Sequence, residues 1–283
     1  MLLRQRDAAP AQDIDVAIVA NPPRGALAGL PALKLVQSLW AGVETLLADP
    51  TLPADVPLAR MVDPAMNEAM AETALWAVLS LQRDHFDYAR QQRDRLWLQH
   101  AQCAARDVTV AVLGLGQMGR TVAMRLVRNG YCVIGWSARP TQLDGVQTQH
   151  GDAALPAVLG AAQIVVNLLP LTPATRCLFD ARRLALLPKG ASLVNLARGA
   201  HVVEADLLAA LDSGALRHAV LDVFATEPLP AAHAFWAHPQ VTVLPHVAAQ
   251  TDTRSASAVA AANVAALRAG RPLQYLVDRK RAY

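Results

Sequence analysis

A chain of 283 residues that is 53% hydrophobic and 17% charged carries enough apolar material for about two folded domains, which excludes disorder. Its net charge of +3 comes almost wholly from scattered arginines, with lysine only at Lys34, Lys189 and Lys280 and aromatics at 5%. A nucleic-acid surface would cluster basic residues among aromatics, so no such partner is expected. The longest apolar runs, near 75–81 and 164–171, fall far short of the roughly 18 residues of a membrane span, so no membrane partner is expected either. Arg4, Arg6 and Asp7 interrupt the opening segment, which argues against a secretory leader. Cys103, Cys132 and Cys177 show neither metal-ligand nor disulfide spacing, so we expect free thiols in a reducing, cytoplasmic setting and no metal.

Residues 14–20 (IDVAIVA) read as a short buried strand closed by Asn21-Pro22-Pro23, and Leu33 to Leu39 is a second apolar run. Asp63-Pro64 supplies a helix N-cap and a first-turn proline. Met66, Met70, Thr73, Ala77 and Leu81 then recur at steps of three and four, which predicts one long helix over 63–97. That helix reads as a connection between two domains or as a dimer contact. Beyond it the pattern alternates. Strands are predicted at 108–113, 131–136, 164–168, 192–196, 219–223 and 241–244, and helices at 117–129, 204–212 and 253–268. Strand and helix in alternation predict an α/β fold with a doubly wound parallel sheet.

Gly114-Leu115-Gly116-Gln117-Met118-Gly119 is a G-x-G-x-x-G loop lying between a predicted strand and a predicted helix. In that setting the first glycine allows the tight turn, the second lets backbone approach a pyrophosphate, and the third lets helix and strand pack closely. An acidic residue at the end of the next strand would accept from a ribose 2′-hydroxyl. Here the segment is Trp136-Ser137-Ala138-Arg139, with no acid. Ser137 and Arg139 suit a 2′-phosphate, so NADPH is the expected cofactor and NADH the alternative.

Arg198, Glu227 and His246 each follow a predicted sheet strand, and in open α/β sheets the ligand crevice lies outside the carboxyl ends of the strands. A histidine beside a glutamate serves as a general acid, and an arginine grips a carboxylate at two points. Together after a nucleotide loop they point to reduction of a small 2-oxo acid by hydride transfer.

These stretches resemble the D-isomer-specific 2-hydroxyacid dehydrogenases, and within them the glyoxylate/hydroxypyruvate reductase A type. The resemblance is carried by GLGQMG at 114–119, NLLPLTPAT at 167–175, NLARGAHVVEADLLAALDSG at 195–214, LDVFATEPLP at 221–230, PHVAAQT at 245–251 and the ending VDRKRAY at 277–283. It implies a Rossmann cofactor domain over 98–250 and a smaller, discontinuous, flavodoxin-like substrate domain made of 1–97 and 251–283. That smaller domain is expected to be N-terminally truncated, lacking roughly the first thirty residues usual in the family. The resemblance also implies roles. Arg198 binds the substrate carboxylate and carbonyl, and Glu227 pairs with the proton donor His246. The backbone of Trp40, Ala41, Gly42 and Val43 holds the carboxylate. Trp136, Leu169, Pro170, Thr175, Ala197 and Asp222 join the glycine loop, Ser137 and Arg139 around the cofactor. Trp97 resembles a residue that reaches a neighbouring subunit, so a homodimer is expected. Beside glyoxylate and hydroxypyruvate reduction stand two further readings: a reductase of a bulkier 2-oxo acid, and a non-catalytic dinucleotide sensor of the corepressor kind.

Overall fold

The computed structural model describes residues 9–279; Arg4, Arg6, Asp7, Lys280 and the end of the 277–283 motif lie outside the described residues. Contacts divide the chain into two compact units, Met1–Met66 with Thr251–Tyr283, and Asn67–Gln250.

The smaller unit opens with β1 (Val16–Val19) and β2 (Leu35–Ser38), followed by α1 (Glu44–Leu47) and β3 (Leu58–Ala59). The three strands are parallel, in the order β1-β2-β3. Leu27, Leu30, Leu33, Val36, Val43, Leu46, Val56 and Leu58 form its core. β1 was expected to be buried, but it is an edge strand, and Ile18 is exposed.

The chain leaves this unit through α2 (Pro64–Gln82), whose Ala65 amide donates to Asp63 Oδ1 at 3.0 Å, the cap expected there. The single helix expected over 63–97 is broken. Asp84 adopts a left-handed conformation (φ 54°), α3 runs only from His85 to Arg93, and Leu96–Leu98 are exposed and non-helical. The buried Asp84 is held there by Arg217 Nη1 and by Gln102 Nε2, partners distant in sequence. Asp87 and His100 lie close to Asp84, but Asp84 and Asp87 are already ion-paired with Arg217 and Arg90. Met70, Ala74, Ala77, Val78 and Leu81 pack with Val110, Val112, Val122 and Leu126, so residues 67–97 belong to the larger unit rather than to the substrate domain. The chain passes back to the smaller unit after Gln250.

The larger unit continues with β4 (Thr109–Leu113), α4 (Gln117–Arg128), β5 (Cys132–Ser137), β6 (Gln147–His150), α5 (Leu155–Ala161), β7 (Ile164–Asn167), α6 (Ala181–Leu184), β8 (Ala191–Asn195), α7 (Glu204–Asp212), β9 (Leu216–Leu221) and β10 (Val241–Val243). All seven strands are parallel, in the order β10-β9-β8-β7-β4-β5-β6. The chain winds outward from β4 to β6, crosses over, and winds the other way from β7, so the switch point lies between β4 and β7. The chain then returns to the smaller unit as α8 (Thr253–Arg268), capped by Asp252 and tied to β2 where Asn263 Nδ2 donates to Gln37 Oε1 at 2.7 Å. No helix among the described residues is long and apolar enough to cross a membrane.

One buried group in this sheet makes stability depend on pH. His218 in β9 stacks on Phe86 at 4.4 Å, bonds Thr242 Oγ1 at 2.9 Å, and burial lowers its pKa to about 4. The unfolded chain binds a proton near 6.5 and the folded one does not, so the contribution is present above that value and is lost as pH falls through about 4. The loss amounts to about 3 kcal/mol. Denaturant titrations at neutral pH and near pH 4 should show it (about 4 being His218's folded value), and His218→Gln should remove most of this part of the pH dependence.

Candidate active site

The parallel register aligns one residue from each of six strands in a row along the carboxyl edge of the large sheet: Trp136, Leu113, Asn167, Asn195, Leu221 and Val243. Nearly every residue singled out in the cofactor domain lies just past this row. Local strand patterning places it there, because parallel strands all end at the same edge.

At the switch point Gly114 has φ 98°, and a Cβ there would lie 2.8 Å from the Leu168 carbonyl oxygen. A Cβ on Gly119 would lie 1.7 Å from the Gly114 oxygen. Both glycines are demanded by packing. Gly116 differs: it caps α4 without a side-chain bond, and nothing lies within 4 Å of where its Cβ would stand. That open side, at the amino end of a 12-residue helix, leaves room for an anion to reach backbone N–H groups, and the loop therefore fits a dinucleotide pyrophosphate. Gln117 is exposed beside it and Met118 partly buried.

Past β5 the side chains divide. Arg139 is exposed, and the Ser137 hydroxyl donates to the Arg139 carbonyl at 2.6 Å, shaping the turn. Trp136, expected beside the cofactor, is buried in the core; its indole donates to the Gly151 carbonyl at 3.0 Å, and its backbone carbonyl meets the glycine loop, accepting from Gly114 N at 2.8 Å. Leu169 and Ala197 are likewise buried. The Thr175 hydroxyl donates to the Pro170 carbonyl at 2.7 Å and so closes the 170–175 turn.

At the other end of the row His246 Nδ1 lies 2.7 Å from Glu227 Oε2, and Glu227 Oε1 accepts from Phe224 N at 2.9 Å. Both side chains are about a third to a half exposed, His246 at 47% and Glu227 at 35%. With Nδ1 donating to the carboxylate, Nε2 is the nitrogen presented outward. His246 has φ 54°, unusual for a non-glycine residue. Asp222 maintains it: its carbonyl accepts from His246 N at 2.9 Å, and its carboxylate accepts from Val247 N at 2.7 Å and Ala248 N at 3.0 Å. Burial raises the Asp222 pKa, against the pull of those two amides. Asp222, expected among cofactor contacts, therefore spends its carboxylate on the histidine loop.

Arg198 joins this group through its neighbour. A Cβ on Gly199 would fall 1.9 Å from the Phe224 carbonyl carbon and 2.4 Å from Ala225 N, so the loops after β8 and β9 touch backbone to backbone. Arg198, Glu227 and His246 thus sit on three adjacent strand ends linked by contact. Glu204, which sequence reasoning passed over, adds a further tie by accepting from Ala225 N at 3.3 Å and facing His233 Nε2 at 3.2 Å.

The family model for the D-isomer specific 2-hydroxyacid dehydrogenase NAD-binding domain matches residues 75–248. The chain belongs to the D-isomer specific 2-hydroxyacid dehydrogenases. As a member of that family it is a nicotinamide-dependent oxidoreductase, and the matched span contains the glycine loop, Arg198, Glu227 and His246. It is 41% identical to glyoxylate/hydroxypyruvate reductase A of Yersinia enterocolitica, over 99% of this chain and 91% of that one. It is 44% identical to the protein of the same name from Serratia proteamaculans, over 93% and 86%. Among solved structures it is similar to the dehydrogenase of this family from Xanthobacter autotrophicus Py2 in complex with NADPH and MES (TM-score 0.94, 44% identity, 97% of this chain and 87% of that one). It is also similar to the NADPH-dependent glyoxylate/hydroxypyruvate reductase from Sinorhizobium meliloti with NADP and sulfate (TM-score 0.90, 39% identity, 96% and 87%).

Residues 40–43, expected from the resemblance to hold the substrate, lie in the smaller unit, just after β2. Trp40 is exposed, its amide accepted by Ser38 Oγ at 3.0 Å, while Val43 is buried in the small core. Val43 therefore offers no exposed side chain, and its carbonyl accepts from Leu47 N at 2.9 Å. Cys103, Cys132 and Cys177 are exposed and not disulfide-bonded.

Proposed function

We propose that this dehydrogenase uses NADPH to reduce small 2-oxo acids, glyoxylate to glycolate and hydroxypyruvate to D-glycerate, with His246 as proton donor. The observation that carries the reading is the 2.7 Å pair of His246 and Glu227 on the strand ends next to Arg198. Bound NADPH supplies the hydride. Arg198 grips the substrate carboxylate and polarises the adjacent carbonyl. His246 delivers a proton from Nε2 to the carbonyl oxygen as negative charge builds there, and Glu227 fixes the orientation of the ring. The names of the similar reductases, and the NADPH and NADP in the two solved structures, support the substrate class and the cofactor. NADPH-oxidation rates with glyoxylate, hydroxypyruvate, pyruvate and phenylpyruvate test it. Highest kcat/KM with phenylpyruvate would favour a bulkier substrate, and binding without turnover a sensor.

Arg139 and Ser137 would hold the 2′-phosphate, since a carboxylate there would repel it. Loss of a charge-assisted hydrogen bond costs about 1.5–3 kcal/mol, so Arg139→Ala should raise the KM for NADPH about ten- to a hundredfold and leave that for NADH nearly unchanged. Equal effects on both cofactors would move the phosphate contact elsewhere. We also propose a homodimer, on the 92% exposure of Trp97 between the exposed Leu96 and Leu98. Sedimentation velocity checks it, with a dimer mass expected.

A further inference from the structure

Three residues without a role in the reaction above are wholly buried beside Arg198. Asn167 ends β7, Asn195 ends β8, and His201 closes the short turn 199–201; each is 0% exposed. The Asn167 amide donates to Asn195 Oδ1 at 3.0 Å and lies 3.1 Å from His201 Nδ1. Asn195 Nδ2 donates to the Arg198 carbonyl at 3.0 Å, and His201 Nδ1 lies 3.1 Å from that same carbonyl. On the far side of the ring, His201 Nε2 lies 3.3 Å from the Pro170 carbonyl, the oxygen that also accepts the Thr175 hydroxyl. Leu169 N donates to Asn167 Oδ1 at 3.3 Å, which brings the next residue of the same turn into the network. Buried polar groups are costly unless they satisfy one another, and a satisfied network fixes its members' backbones. An imidazole carries two polar atoms on opposite sides of a rigid ring. In this place Nδ1 faces the Asn167 amide and the Arg198 carbonyl and Nε2 faces the Pro170 carbonyl, so a neutral ring that donates from Nε2 to Pro170 accepts from Asn167 at Nδ1 and is tied to the Arg198 carbonyl through the Asn167 and Asn195 amides.

We propose that His201 is a positioning residue that couples the two halves of the site. Its Nδ1 side sets the backbone from which Arg198 reaches the substrate carboxylate. Its Nε2 side sets the turn that lies along the dinucleotide. The coupling rests on the reductase reading given above, in which Arg198 holds the substrate.

The test divides the ring. His201→Asn keeps an amide near the Nδ1 position, His201→Gln keeps one near Nε2, and His201→Leu keeps neither. Losing one hydrogen bond from a site corresponds to about a two- to tenfold change in the constant it supports. The Asn variant should therefore weaken NADPH binding, read by nucleotide fluorescence, and hold the KM for glyoxylate. The Gln variant should do the reverse, and the Leu variant should worsen both. Variants that lose thermal stability while both constants match the parent would overturn the proposal, as would Asn and Gln variants with the same profile. Ring-nitrogen NMR of the labelled parent needs no variant. NADPH should move the His201 Nε2 resonance, and oxalate, which mimics the substrate, the Nδ1 resonance. Resonances that stay put with both ligands overturn the proposal. Failure of the reductase reading shows in the parent, as absent turnover, and overturns the coupling with it. Failure of the coupling alone shows only against an active parent.

Discussion

His246→Ala should lower kcat for glyoxylate reduction by about 10²- to 10⁴-fold, the range over which a positioned general acid contributes. The dissociation constant for NADPH should stay within about twofold, a change worth less than a typical single hydrogen bond. The separation follows from the edge row: the glycine loop follows β4 and the histidine follows β10, with β7, β8 and β9 between them. Stopped-flow turnover with fluorescence titration of NADPH measures both quantities on one preparation. If the variant reduces glyoxylate at the parent rate, the proton comes from another group. Val247 and Ala248 keep their amide bonds to Asp222 whatever side chain stands at 246, so the loop should hold its course and the effect should be chemical rather than structural.

Gly199→Ala should damage both the fold and the site, although it adds a single methyl group. The new Cβ would meet the Phe224 carbonyl carbon at 1.9 Å, its oxygen at 2.2 Å and Ala225 N at 2.4 Å, all of them backbone atoms that cannot rotate away. Relief requires the loops after β8 and β9 to part. That movement separates Arg198 from the pair formed by Glu227 and His246, and it strains the Phe224 N–H bond to Glu227. Overpacking of this sort costs about 1–3 kcal/mol and at times more. A lowered melting temperature should accompany a loss in kcat/KM that exceeds the loss in NADPH affinity. A variant with the parent's melting temperature and kcat/KM would mean that the two loops do not bear on each other.

Much of the larger unit was legible along the chain, because its signals are local. Helices α4 and α7 span the expected residues to within one position, and each of the six strands expected past residue 100 forms within a few positions. The shorter pieces escaped. β3 is a two-residue strand, β6 (QTQH) carries no apolar alternation, and α1 is a single turn, so none has a period to detect. The break at Asp84 escaped for another reason: nothing between Pro64 and Arg95 disfavours a helix locally, and the left-handed residue is held by Arg217, 133 positions away.

The candidate site divides along the same line. The string of residues alone determined that a glycine loop follows a strand, that an arginine replaces the acid past the next strand, and that Arg198, Glu227 and His246 follow strands of one parallel sheet. Each of these is a statement about neighbours in sequence. Only the tertiary structure decided that the Trp136 indole is spent on the core, that Asp222 serves the histidine loop, that Gly199 is the joint between two strand ends, and that His201 meets Asn167 across 34 positions. Side-chain burial and hydrogen-bond partnership are set by whichever distant segment packs alongside. No local period encodes that choice, because the free energy deciding it resides in contacts between elements and not within them.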